Sequence, residues 1–203
     1  VVLFGGVVAR AGDEAQRAEI LESVIGGETL GAFAYVERQS RFAINDCKTT
    51  ATASGDGYTL NGEKVVVFNG ENADKLVVLA RTYGGQFDED GLSLFVVDAN
   101  AEGVSKVCYP MMDAQRVANI TFDNVELGAG ALLGTEGGAL SVVNEVVSEA
   151  LIALASEAVG IMGTLNAKTL EYTKTREQFG QPIGKFQVLQ HRMVDMFMEH
   201  EQS

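Results

Sequence analysis

The 203 residues suffice for one large domain or two modest ones, and 46% hydrophobic with 21% charged residues is the balance of a globular chain, not a disordered one. A net charge of −13, from 28 acids against 15 bases, argues against a nucleic-acid partner, whose phosphates need a basic surface. No uninterrupted apolar run reaches the roughly 18 residues of a membrane span, and no basic leader precedes an apolar core, so neither a span nor secretion is expected. Cys47, Cys108, His191 and His200 lie far apart, so no metal-ligand spacing emerges and no disulfide framework is possible. A reducing, cytoplasmic compartment is the expectation.

The chain opens on Val1–Val2–Leu3–Phe4 and stops at Glu201–Gln202–Ser203 within a helical pattern, with no capping composition at either end. It is expected to be a piece of a longer protein. Residues 13 to 26 carry apolar positions at three- and four-residue steps behind Asp13, a suitable N-cap, and Gly26–Gly27 ends the helix.

From Leu30 the period changes to two. Gly31–Val36 and Lys48–Ala53 read as strands, and Asp56–Gly57 as a turn. Asn61–Gly62 between Tyr58–Leu60 and Glu63–Phe68 predicts a type I′ hairpin, because both turn residues must take positive φ. Further strands are expected at Leu76–Arg81, Leu92–Asp98, Val104–Tyr109 and Val117–Val125. Short strands without intervening helices predict an antiparallel sandwich or barrel and exclude a Rossmann sheet. After Leu132–Leu133–Gly134, residues Leu140 to Lys174 read as one long helix, nearly apolar all round between Ala150 and Leu165 and therefore expected to be buried on most sides. A second helix runs from about Phe186 to the end. The fold class is α+β: a helix, then an all-β domain, then a helical hairpin.

Between the last two helices, Thr175 to Ile183 gathers an arginine, an amide, an aromatic and a glycine, closed by Pro182. Two readings stand side by side here. The segment is either a helix end, with Arg176 near the negative pole and Gly180 as the stop, or a surface that meets a planar or phosphate-bearing partner.

The order of elements, together with Gly31–Ala32–Phe33–Ala34–Tyr35–Val36–Glu37, Leu60–Asn61–Gly62–Glu63–Lys64, Phe68–Asn69–Gly70, Leu133–Gly134, Arg176–Glu177–Gln178–Phe179–Gly180–Gln181–Pro182–Ile183 and Phe186–Gln187, resembles the acyl-CoA dehydrogenase family over the whole chain. The departures listed below are similar to those of its pimeloyl-CoA dehydrogenase small-subunit-like members. The resemblance implies three portions: the end of an N-terminal helical domain (1–28), a middle β-domain (29–134) and the start of a C-terminal helical bundle (135–203). It implies FAD as cofactor and α,β-dehydrogenation of an acyl-CoA thioester, with electrons passed to an electron-transfer flavoprotein. A carboxylate takes the α-proton, and hydrogen bonds to the thioester carbonyl stabilise the developing enolate.

Residue by residue, the resemblance places Arg176 on the FAD pyrophosphate, Gln178 as an added hydrogen bond and Phe179 near the adenosine half, all toward a neighbouring subunit's cofactor. Tyr35 and Val36 match the strand that passes the flavin ring. Val36 stands where relatives have the threonine of Thr-Glu-Pro, leaving its backbone N–H to meet the flavin. Arg41 and Phe42 replace small polar residues near flavin and CoA and are the substrate-binding candidates. Where relatives have Trp-Ile-Thr-Asn-Gly, Val66 replaces the tryptophan and Phe68 the threonine; Phe68 belongs either on the isoalloxazine edge or in ordinary sheet packing.

No catalytic base is assigned. Matching on Ala158–Val159–Gly160 puts Ala150 and Leu151 at one family position, and Glu149 lies about 100° around the helix from it. Glu157, on the apolar stretch, is expected to be paired at a helix interface. His191 is expected to be packed or at an interface. Homotetramer and α2β2 assemblies are both implied. A non-catalytic partner subunit and an acyl-CoA oxidase are the alternatives.

Overall fold

The computed structural model describes residues 2–203. Two compact units divide at Ser148/Glu149, within one continuous helix.

The first unit opens with helices α1 (Val2–Ala11) and α2 (Glu14–Ile25). Asp13 and Gln16 form a reciprocal capping box on α2, as its sequence predicts. Helix α1 had no assigned pattern, although Phe4, Val7 and Val8 bury one stripe at three- and four-residue spacing. Eight strands follow: β1 (Gly31–Ala34), β2 (Thr50–Ser54), β3 (Gly57–Phe68), β4 (Lys75–Arg81), β5 (Leu92–Asp98), β6 (Val104–Pro110), β7 (Arg116–Leu127) and β8 (Leu132–Leu133). They run in the order β6-β7-β3-β2-β4-β5-β8, with β1 beside β4.

The sheet departs from pure antiparallel pairing in its interior, at β4, where β1 runs parallel to it from Gly31↔Lys75 to Ala34↔Val78, and β2 meets it only through Thr50↔Arg81. The long excursion from β1 through β2 and β3 supplies the crossover that parallel pairing needs. Strand β4 is buried on both faces. Leu76, Val78 and Ala80 join Leu60, Val67, Phe95, Ile120 and Phe122 inside the folded sheet, while Val77 and Leu79 meet Phe4, Val7, Val8, Ile20 and Val143 of the helices. Cys47 and Cys108 are both free thiols.

The hairpin expected at Asn61–Gly62 does not form. Strand β3 continues through it, and the turn lies earlier, at Gly55–Asp56, where Ser54 pairs with Gly57. Asn61 is used across the sheet instead: its side-chain oxygen accepts from the Asn124 N–H at 2.8 Å, at a bulge in β7. Gly62, at φ +145, lies against Thr49 so closely that a Cβ would meet Thr49 Oγ1 at 2.6 Å and its Cα at 2.7 Å. The glycine serves close approach, not a turn. Gly62→Ala is expected to destabilise the first unit by about 2 kcal/mol or more, read as a lowered midpoint in thermal denaturation.

The helix α3 (Ala139–Thr175) begins in the first unit, where Val143 and Val146 are buried, and continues into the second. That unit completes itself with a short hairpin, β9 (Glu177–Gln178) and β10 (Gln181–Pro182), and helix α4 (Gln187–Gln202). The expectation of a helix buried on most sides is overturned: beyond Ser148 only Thr173 is buried, and Leu151, Ile152, Leu154, Ile161 and Leu165 are exposed. With α4 as its single partner helix in the unit, α3 has only one side to bury. Glu157 and His191 are exposed as well. By length and composition alone, α3 is apolar enough to cross a membrane, with an 18-residue window of mean hydropathy 1.6.

Candidate functional site

In the first unit, the candidate residues gather where β1 ends against β3. The Val65 N–H donates to the Val36 carbonyl at 2.9 Å, tying the strand end to β3 immediately after Lys64. At this point β3 carries an extra residue: Lys64 pairs with Ile120 but Val67 pairs with Ala118. The bulge puts Val66 at φ 53, a conformation that a β-branched side chain rarely takes. Asn119 holds it there, its side-chain oxygen accepting from the Val66 N–H at 3.1 Å and from the Tyr109 hydroxyl at 3.0 Å. Val66 and Phe68 both turn outward and are exposed, so Phe68 is not part of the sheet core. Tyr35 stacks on Phe33 with centroids 4.7 Å apart, and burial pushes its phenol pKa up. The Val36 N–H donates to no backbone acceptor among the described residues.

The Val65–Val36 bond thus sets the strand end of Tyr35 and Val36 beside the segment of β3 that carries Val66 and Phe68, and the two together make a candidate edge. It offers a backbone donor, an apolar wall and a strained bulge, features suited to a flat heterocycle. The segment after Val36 turns back through Arg41, at φ 47, and Phe42, 98% exposed. Arg41 and Phe42 form its tip, and nothing among the described residues covers Phe42.

Beneath that edge lies a polar cluster around Lys64 and Glu37, to which the sequence motifs assign no role. Lys64 is fully buried and its Nζ lies 2.7 Å from Glu37 Oε1 and 3.6 Å from Cys47 Sγ. The Glu37 carboxylate also accepts from Gln39 Nε2 (2.8 Å), the Lys48 N–H (2.8 Å), the Thr49 N–H (3.0 Å) and the Cys47 thiol (3.3 Å). Burial by itself would raise the Glu37 pKa. The Lys64 charge and the hydrogen bonds from Lys64, Gln39 and Thr49 outweigh it and hold the carboxyl down to about 2. Burial pushes the Cys47 thiol up, so it is no thiolate nucleophile.

A second anchor is Arg81, buried at the end of β4. Its guanidinium donates to six backbone carbonyls, those of Asn45, Cys47, Tyr83, Gln86, Asp88 and Asp90, at 2.9 to 3.4 Å. Both clusters join residues far apart in the chain. The one local cue was parity: Leu60, Gly62 and Lys64 are two apart, so a lysine in step with Leu60 points inward.

In the second unit, Phe179 and Gly180 form a two-residue turn with φ 56 and 75 between paired Gln178 and Gln181. This is the primed-turn geometry expected elsewhere in the chain, here accommodating a bulky residue against its preference. The Phe179 ring is 91% exposed and meets only the edge of Phe186, at 6.1 Å. The Arg176 backbone is fixed by Arg176 N–H to Tyr172 O (2.9 Å) and Ile183 N–H to Arg176 O (2.8 Å). Its side chain is exposed and pairs with no carboxylate among the described residues. Gln178 is exposed and donates to the Glu177 carbonyl at 2.8 Å. Arg176, Gln178 and Phe179 therefore stand on one small hairpin. No group of three metal-ligating side chains occurs among the described residues.

The chain belongs to the acyl-CoA dehydrogenase family: residues 32–125 match the family's middle domain and residues 137–203 its C-terminal domain. It is 31% identical over 205 residues to the short-chain-specific acyl-CoA dehydrogenase of Megasphaera elsdenii, covering 99% of this chain and 53% of that one. A chain from the solved structure described as the electron transferring flavoprotein of Acidaminococcus fermentans superposes with a TM-score of 0.91 at 33% identity, covering 100% of this chain and 54% of that one. The FAD complex of PigA superposes with a TM-score of 0.92 at 27% identity, covering 99% and 53%. The chain spans about half the length of the curated relatives it matches.

Proposed function

We propose that the complete protein is an FAD-dependent acyl-CoA dehydrogenase that desaturates an acyl-CoA thioester between its α and β carbons and passes electrons to an electron-transfer flavoprotein. The observation that carries this reading is the edge built by the Val36 strand end and the Val66 bulge, in a domain of this family. A backbone N–H with no backbone acceptor, beside exposed Val66 and Phe68, fits the polar rim and apolar face of a flavin ring. On the separate hairpin of the second unit, unpaired Arg176 and exposed Phe179 fit a pyrophosphate and an adenine.

When bound, FAD supplies the hydride acceptor. The residues of this chain bind and orient. The Val36 N–H serves the ring's polar edge, Tyr35 backs the strand, and Val66 and Phe68 exclude water from one side. Arg176 and Gln178 hold the diphosphate of a neighbouring subunit's cofactor, and Phe179 packs on its adenosine half. Arg41 and Phe42, at the loop tip, contact the CoA thioester substrate. The base lies outside these 203 residues, and α3 is read as a helix of the C-terminal bundle. One feature favours a second reading, a partner subunit without chemistry of its own: by the resemblance, Ala150 and Leu151 stand at one of the two positions where the family carries its base.

The test is the full-length protein itself. It is expected to purify yellow, and anaerobic titration with a panel of acyl-CoAs is expected to bleach the flavin. A yellow protein that no acyl-CoA bleaches favours the partner subunit, and rapid reoxidation by oxygen favours an oxidase. Arg176→Ala removes a charge-assisted pair and is expected to weaken FAD binding about tenfold or more while leaving the melting midpoint of the apoprotein unchanged. A wild-type flavin-to-protein absorbance ratio after gel filtration would sink the Arg176 assignment.

A further inference from the structure

We propose that Lys64 and Glu37 are positioning residues for the cofactor edge, their buried ion pair fixing the spacing between the Val36 strand end and the Val65–Val66 bulge. The inference rests on the FAD reading above and deepens it by naming what holds that edge in shape. Glu37 directly follows Val36, and Lys64 directly precedes Val65. The two segments are therefore cross-linked twice in succession, by the 2.9 Å Val65 N–H to Val36 O bond and by the 2.7 Å Lys64–Glu37 pair. Neither charge reaches the surface: Lys64 is fully buried and Glu37 is 4% exposed. They touch nothing that could be substrate, so their role is exerted through the backbone.

Stability alone is a poor reason for such a pair, because two apolar side chains of similar volume commonly hold a core as well. An ion pair provides a fixed distance and direction. Glu37 extends that constraint to a third segment, since the Lys48 and Thr49 N–H groups donate to the same carboxylate. Thr49 is also the residue against which Gly62 of β3 lies. Three segments at the candidate edge, the end of β1, β3 and residues 47–49, are therefore referenced to one carboxylate. A bulge carrying Val66 at φ 53 needs that support, because a strained backbone persists only where its surroundings over-determine it.

The experiment compares full-length wild type with Glu37→Gln, Lys64→Met and the double variant, which removes both charges and keeps approximate shape. Melting midpoint, the dissociation constant for FAD added to apoprotein, and the shape of the flavin's visible band are measured for each. Lys64→Met is expected to lose stability and bind FAD about tenfold more weakly. The double variant is expected to recover the midpoint but not the affinity, and to show an altered band. A double variant with wild-type affinity and band shape overturns the positioning role and leaves the FAD reading intact. A wild-type protein that takes up no FAD overturns that reading and this inference with it. If Lys64→Met does not fold, the double variant and Glu37→Gln decide.

Discussion

Lys64→Met is expected to lower the unfolding free energy by about 3–5 kcal/mol at neutral pH, because it leaves the Glu37 carboxylate buried without its cation. Four other donors would still face that carboxylate, but none carries a charge. The effect has a pH signature whose sign follows from the depressed Glu37 pKa. The folded value is about 2 against an ordinary 4.5, so the folded state favours the ionised form. The resulting stabilisation is fully present above about 4.5 and is lost as pH falls from there through about 2. Its size is roughly 3 kcal/mol. The gap between wild type and Lys64→Met is therefore expected to be widest above pH 4.5 and to close toward pH 2. Urea unfolding at a series of pH values measures it, and a gap independent of pH would show that lost packing, not lost charge, is responsible.

The second large effect belongs to Arg81. Replacing it by methionine keeps the apolar stem but removes the guanidinium donors from the six carbonyls that converge on it, of which that of Gln86 keeps the Cys47 N–H. Those carbonyls come from two loops, residues 45–47 and 83–90, which are also joined by the Cys47 N–H to Gln86 O, Asn45 Nδ2 to Phe87 O and Gln86 Nε2 to Asp46 Oδ1 bonds. A buried acceptor left unpaired costs about 1–3 kcal/mol, and several are orphaned together, so a loss of about 3–5 kcal/mol is expected. The loops can relax toward water, which caps the loss below the sum. Hydrogen exchange is expected to accelerate selectively across residues 82–91. Arg81→Lys retains the charge but cannot span the ring of acceptors with three donors, and an intermediate loss is expected. Wild-type unfolding of Arg81→Met would show that the carbonyls find water without penalty.

The strands were legible because each carries its own period-two pattern and turn residues, which is why Leu92–Asp98 is observed at its expected bounds. The failure at Asn61–Gly62 had a definite cause. The local preference of Asn-Gly for a primed turn is real, but pairing of β3 along β7 on both sides of that dipeptide outweighs it. The error carried a second loss. A turn at that point resets the alternation, which hid the inward register of Lys64. Glu37 and Lys64 are 27 residues apart and Arg81 reaches back 34 residues to Cys47, so nothing in local composition could pair them. The candidate edge was legible only through family motifs, because its substance is backbone: a carbonyl, a free N–H and a bulge. The long helix was placed correctly along the chain, but its burial depends on neighbours that sequence periodicity does not enumerate.

The hairpin that presents Phe179 is complete within its own dozen residues. Its turn, its strand pairing and the bonds that fix Arg176 are all made among its own residues. A flexible loop would have to surrender its freedom at the moment of contact; this one has already done so during folding. Association at this surface should then resemble two preformed shapes meeting, with the balance of affinity carried by how long the contact lasts more than by how often it is found. The left-handed phenylalanine is the local cost of that readiness: a glycine would relax the turn, but it would leave no ring to offer.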